Sequence, residues 1–187
     1  MPNWCHNRVT LSGSAEDLSR LKALIGTDDN PLDFDKIMPM PESLNIEAGS
    51  REIGYRAVYG DFEGLLNYSW IAEHHIQTRE ELINFFRRKH PDYLEAAEVY
   101  KKNMDEYGHL NWYSWSLSNW GTKWPIEPDD LVIVCNEDDF MQLEFDTAWS
   151  PADGIHQKIQ EIIDKQELSC SITWFYDEPG MCMAGYL

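Results

Sequence analysis

The chain has 187 residues, 33 of them acidic and 15 lysine or arginine, for a formal charge of −18. That balance argues against a general nucleic-acid binder, which presents a basic face to release counterions, and against docking on anionic membranes. With 43% hydrophobic and 26% charged residues, the composition is that of a folded chain, sized for one large domain or a domain with an insertion.

Asn7 to Gly13 reads as a short strand with Val9 and Leu11 on one face. Ser14-Ala15-Glu16-Asp17 opens a helix in the manner of a capping box, and Leu18, Leu21, Leu24 and Ile25 form its apolar stripe. Leu32 to Met40 is expected to be a second extended piece. Residues 42–77 show no period, because Gly49, Gly54, Gly60 and Gly64 interrupt them. Thr78-Arg79-Glu80-Glu81 is another capping box, with Leu82, Ile83, Phe85 and Phe86 behind it. After His90-Pro91, a second helix is expected from Asp92 to Glu106, ended by Gly108. Leu131–Cys135 and the alternating Met141, Leu143 and Phe145 predict an antiparallel hairpin. Ser150 is expected as an N-cap with Pro151 at the first helical position, followed by the stripe Ile155, Ile159, Ile162 and Ile163. Cys170, Ile172, Trp174 and Tyr176 alternate as a strand. Pro179-Gly180 fits a type II turn, and 181–187 returns as a last strand.

This order predicts an α+β fold: a ferredoxin-like antiparallel sheet with helices on one face, carrying a helical, aromatic-rich insertion. The expected organisation is one domain over 1–187. The insertion spans 42–127, with a helical hairpin at about 78–106 and an aromatic segment at 107–126.

That aromatic segment is unlike the rest of the chain. Its 20 positions contain no acidic residue, and Lys123 is their one formal charge. Trp112, Trp115, Trp120 and Trp124 place four of the eight tryptophans within 13 residues. Two readings follow. Tryptophans bury large areas and satisfy one indole N–H each, so the cluster can be packing. Alternatively it is a recognition surface: rings for stacking, Asn111 and Asn119 for hydrogen bonds, and Thr122 and Lys123 for a polar or anionic group. A second candidate is the strand-to-helix junction Phe145-Asp146-Thr147-Ala148-Trp149-Ser150-Pro151, where Asp146 is placed to meet Lys123 and Trp149 to add another ring.

The familiar catalytic signatures are missing. The chain has no GxGxxG, phosphate loop, HExxH or GxSxG. Cys5 and His6 are adjacent and so point to opposite faces of a strand. His74-His75 lacks the multi-ligand spacing of a zinc site. The aspartates between 28 and 35 lack the glycine and terminal glutamate of an EF-hand. No metal, cofactor or catalytic residue is assigned. Cys5, Cys135, Cys170 and Cys182 lack CxxC pairing and are expected as free thiols. No apolar run reaches the ~20 residues of a membrane helix. The first residues do not form a signal peptide, so a cytoplasmic location is expected.

The Met-Pro-Asn-Trp-Cys-His-Asn start, Trp120-Gly121-Thr122-Lys123-Trp124, and Phe145 to Pro151 together resemble the YubB-like family of phage and plasmid proteins. The resemblance spans residue 1 to about 151. It implies a ferredoxin-like domain, a mobile-element origin and a bacterial cytoplasm, and it supplies no catalytic residues. The expectation is therefore a non-enzymatic accessory protein that binds an unknown protein or small polar ligand through the aromatic segment. The alternatives are an acidic imitation of nucleic acid that docks a basic host protein, and an enzyme acting on a small polar substrate with Lys123 and Asp146 in its pocket.

Overall fold

A computed structural model describes residues 3–187. The chain divides into two compact units, residues 1–40 with 116–187 and residues 41–115.

The first unit is built on a five-stranded antiparallel sheet. Its strands are β1 (Trp4–Gly13), β2 (Val132–Asn136), β3 (Phe140–Ala148), β4 (Cys170–Glu178) and β5 (Met183–Tyr186), in the spatial order β2-β3-β1-β4-β5. The first four strands in that order have the ferredoxin-like arrangement, and β5 extends it through a hairpin. Alternation along β1 turns Cys5, Asn7, Val9 and Leu11 into the core. The helices α1 (Ala15–Ile25) and α9 (Asp153–Lys165) cover that face. Leu18, Leu21 and Ile25 meet Ile155, Ile159, Met141, Leu143 and Trp174 in a dry interior. Ser14 caps α1 by accepting from the Asp17 N–H.

The opposite face of the sheet carries charged and polar side chains of β1 and β3. Register pairs His6 with Asp146 and Arg8 with Glu144 across β1 and β3. β2 is an edge strand interrupted between Ile133 and Cys135 by a bulge. Val132, Ile133 and Val134 are 58%, 46% and 50% exposed. Exposed acids flank them, Glu127, Asp129 and Asp130 before and Glu137, Asp138 and Asp139 after. None of the six forms an ion pair among the described residues.

Three expectations need correction. Leu32 to Met40 holds no strand; its centre is one helical turn, α2 (Phe34–Ile37), because the Asp33 carboxylate accepts from the Asp35 and Lys36 N–H groups. The second strand of the ferredoxin-like core is therefore β2, after the insertion. Ser150 does not cap α9. Its hydroxyl donates to Gly121 O at 2.6 Å, and Ala152 holds the cap position without a side-chain bond. In the β4–β5 turn the positive φ belongs to Cys182 at 55°, not to Gly180, so the turn is not type II across Pro179-Gly180.

The second unit is helical: α3 (Glu52–Val58), α4 (Phe62–Leu65), α5 (Ser69–Glu73), α6 (Arg79–Lys89) and α7 (Pro91–Tyr107). Ala57, Leu65, Ile71, Ile76, Leu82 and Phe86 form its core. The Thr78–Glu81 capping box is complete. Pro91 opens α7, and Gly108, at φ 74°, ends it in the left-handed conformation. A further helix, α8 (Trp112–Asn119), lies within the acid-free segment.

Candidate functional site

The structure divides the acid-free segment between interior and surface. Asn111 is buried. Its Oδ1 accepts from the Tyr113 N–H at 3.1 Å, capping α8, and its Nδ2 donates to Glu52 at 2.8 Å. Trp115 is buried, and Trp112 is half-buried, edge-on to Tyr113. Trp120 is buried edge-to-face against Phe34, with its indole N–H on Met38 O at 3.0 Å. Thr122 is buried and donates to Ala148 O. Asn119 is half-buried, with its carbonyl against α9 at Gly154. The packing reading thus holds for Asn111, Trp115, Trp120 and Thr122.

The surface reading holds for a different set. Trp124 is 39% exposed and leans on Trp4, itself 50% exposed, with ring centroids 6.5 Å apart. The Lys123 ammonium sits 4.1 Å from the Trp124 ring centroid and 5.2 Å from that of Trp149. Trp149 adopts a left-handed φ of 71°, and its N–H donates to Asn3 O. Sequence reasoning missed Trp4. The signal was present in the alternation of β1, which puts Trp4, His6 and Arg8 on the face opposite Cys5 and Asn7.

Asp146 does not pair with Lys123. Its carboxylate stands 3.1 Å from His6 Nδ1, directly across the β1–β3 ladder. Arg8 Nε donates to Glu144 at 2.7 Å two pairs further along, on the same face. Both pairs are substantially exposed, and such pairs contribute little to stability. Beside them lies an open groove of about 310 Å³ lined by Trp4, His6, Asp130, Val132, Glu144, Phe145 and Asp146. Its wall combines one large aromatic face with three carboxylates.

Beneath the sheet, Asn7 is a buried polar hub. Its Nδ2 donates to Cys5 O and Thr147 Oγ1, both at 2.8 Å, and its Oδ1 accepts from Trp174 Nε1 at 2.9 Å. Burial pushes the Cys5 thiol up to about 11, so it is an inert thiol at neutral pH. His156 of α9 is buried edge-on to Trp174. Desolvation lowers its pKa, with Asp153 opposing. A lowered value means that the unfolded chain binds the proton more readily. Stability is therefore fully present above the ordinary histidine range and falls as pH drops through that range toward the folded value. Urea midpoints measured from pH 7.5 down to pH 5 are expected to fall with a slope that His156→Gln reduces; an unchanged slope would remove His156 as its source.

Among the described residues no group of histidines, cysteines and acids is arranged to hold a metal ion. No helix among them is long and apolar enough to cross a membrane. The four cysteines are free thiols.

No family model matches the chain, and no curated protein matches it. Among solved structures, it is similar to the protein api92 from Yersinia pseudotuberculosis, of family DUF1281. The two are 12% identical with a TM-score of 0.49, over 100% of this chain and 93% of that one.

Proposed function

We propose that this chain is a binding module that takes a protein segment carrying cationic and apolar side chains. The observation carrying this reading is the exposed Trp4–Trp124 pair beside a groove walled by Asp130, Glu144 and Asp146. An aromatic face attracts a lysine or arginine head group through its quadrupole, and adjoining carboxylates add charge-assisted hydrogen bonds. Tryptophan is also the residue most enriched where binding energy concentrates. The resemblance to the YubB-like phage and plasmid family supports an accessory role in a mobile genetic element within a bacterial cytoplasm.

The test is capture from bacterial lysate with tagged wild-type chain and the Trp4→Ala/Trp124→Ala double variant. Both rings are exposed, so the variant should fold, which circular dichroism checks. A salt-resistant protein partner whose recovery drops at least about tenfold in the variant, roughly 1.4 kcal/mol or more, is the expected result. Equal recovery by both proteins would exclude this surface.

A second reading, acidic imitation of nucleic acid, is favoured by the six carboxylates around β2 that lack ion pairs. It predicts that basic DNA-binding proteins are captured, that they are lost at high salt, and that the tryptophan substitutions do not affect them.

A further inference from the structure

The second unit holds a groove of about 490 Å³ lined by His74, His75, Ile76, Glu81, Asn84, Phe85, Arg87 and Arg88. Two guanidiniums and two imidazoles converge there in a chain with more than twice as many acids as lysines and arginines. Elsewhere Arg8, Arg20, Arg51, Arg56, Lys101 and Lys158 each find a carboxylate. Arg87 and Arg88 form no ion pair among the described residues. Both are instead held by one side chain's residue: Arg87 Nη1 donates to Asn84 Oδ1 at 2.5 Å, and Arg88 Nε donates to Asn84 O at 3.2 Å. Their remaining N–H groups make no hydrogen bond among the described residues.

The helix dipole explains why cations sit in the last turn of α6. It does not explain two guanidiniums, one held by the Asn84 side chain and one by the carbonyl at 84, lining the same groove as two imidazoles. The one carboxylate lining that groove, Glu81, is charged but turned to the helix start, where its Oε2 accepts from the Gln77 and Thr78 N–H groups at 2.9 and 3.0 Å, and it forms no ion pair among the described residues. The His74 ring packs on Phe85 with centroids 4.7 Å apart, which fixes one imidazole against the wall. The result is a set of N–H donors, held in place and without an acidic partner. At physiological salt the repulsion from distant acids is screened beyond about 8 Å, so the local cluster sets the potential an approaching ion meets.

We propose that this groove is a binding site for a tetrahedral phosphate group, with Arg87 and Arg88 as its charged donors, His74 and His75 as flanking donors, and Asn84 as the residue whose side chain positions Arg87. Planar guanidinium forks match phosphate oxygens in pairs, which a lysine ammonium cannot do. The site lies entirely in the second unit and is independent of the aromatic surface proposed above.

The experiment is an NMR titration of the full chain with inorganic phosphate, with a mononucleotide monophosphate and with a phosphoserine peptide. Saturable shifts centred on residues 74–88 are expected for at least one probe. Tighter binding of the mononucleotide or of the phosphopeptide than of inorganic phosphate would identify the source of the phosphate group. Arg87→Gln and Arg88→Gln should each weaken binding at least about tenfold. Asn84→Ala should weaken it by releasing Arg87, while the Arg88 bond to the backbone carbonyl at 84 is kept. Lys102→Gln, an exposed cation on α7, should not change it. Shifts that fail to saturate for every probe, or an equal loss on Lys102→Gln, would overturn the proposal.

Discussion

Trp174→Ala is expected to destabilise the sheet unit by about 4 kcal/mol, within the range for truncating a buried tryptophan. Trp174 is fully buried at the centre of β4. It meets Phe145 edge-on at 5.6 Å and His156 edge-on at 6.0 Å. Two costs add. The ring leaves a large cavity between the sheet and α9, and Asn7 Oδ1 loses its indole N–H donor in the buried core. Trp174→Phe separates the two, since it keeps most of the volume and removes only the donor; about 1–3 kcal/mol is expected for it. Urea unfolding monitored by far-UV circular dichroism measures both. A loss below 1 kcal/mol for the alanine variant would show that the Asn7–Trp174 hub is not central to this core. Domains of this kind are stable by only about 5–15 kcal/mol, so the variant should also accumulate poorly in cells.

Gly54→Ala is expected to break the α3–α7 packing of the helical unit at a cost of about 3 kcal/mol, the upper part of the usual overpacking range. In most exposed helices the same change would stabilise by up to about 1 kcal/mol, because alanine is the better helix former. Here the sign reverses for a steric reason. A Cβ on Gly54 would lie 1.9 Å from Tyr93 O and 2.6 Å from Tyr93 C, and backbone atoms of α7 cannot rotate aside. The two helices would have to separate, exposing Ala57 and the aromatic residues around it. Amide hydrogen exchange should show loss of protection across residues 52–58 and 91–107. Retained protection would mean that the two helices adjust more cheaply than their spacing implies.

Periodicity carried most of the fold. The stripes of α1, α6 and α9 and the alternation in β1, β3 and β4 are visible because each element buries one face. The stretch from 32 to 40 was misread because Leu32, Phe34 and Ile37 are too few to display a period. The deciding interaction there is a local one, the Asp33 carboxylate on two backbone amides. Residues 42–77 stayed unread because α4 and α5 have four and five residues, too short for a stripe. Within the aromatic segment, composition revealed that something was unusual but not which rings were buried. Trp120 is fixed by Met38 O and Phe34, partners more than 80 positions away that no local pattern encodes. Trp4 was missed because the expected strand began at Asn7, whereas β1 begins at Trp4, and its pairing with Trp124 depends on the whole sheet. Arg87 and Arg88 carry no sequence signal of their own, because basic residues in the last turn of a helix are ordinary and only the structure shows which of them lack an acidic partner.

The edge strand β2 bears on how copies of the chain treat one another. Three exposed apolar side chains on an edge strand with one open side are ordinarily an invitation to cross-chain ladders. Whether two such strands meet parallel or antiparallel, the acids at 127–130 and 137–139 of one copy face those of the other. The insulation is electrostatic rather than steric, supplied by sequence on either side of the strand rather than by a covering element. Two copies of this edge therefore repel each other at both ends of the strand, and the repulsion weakens as salt is raised.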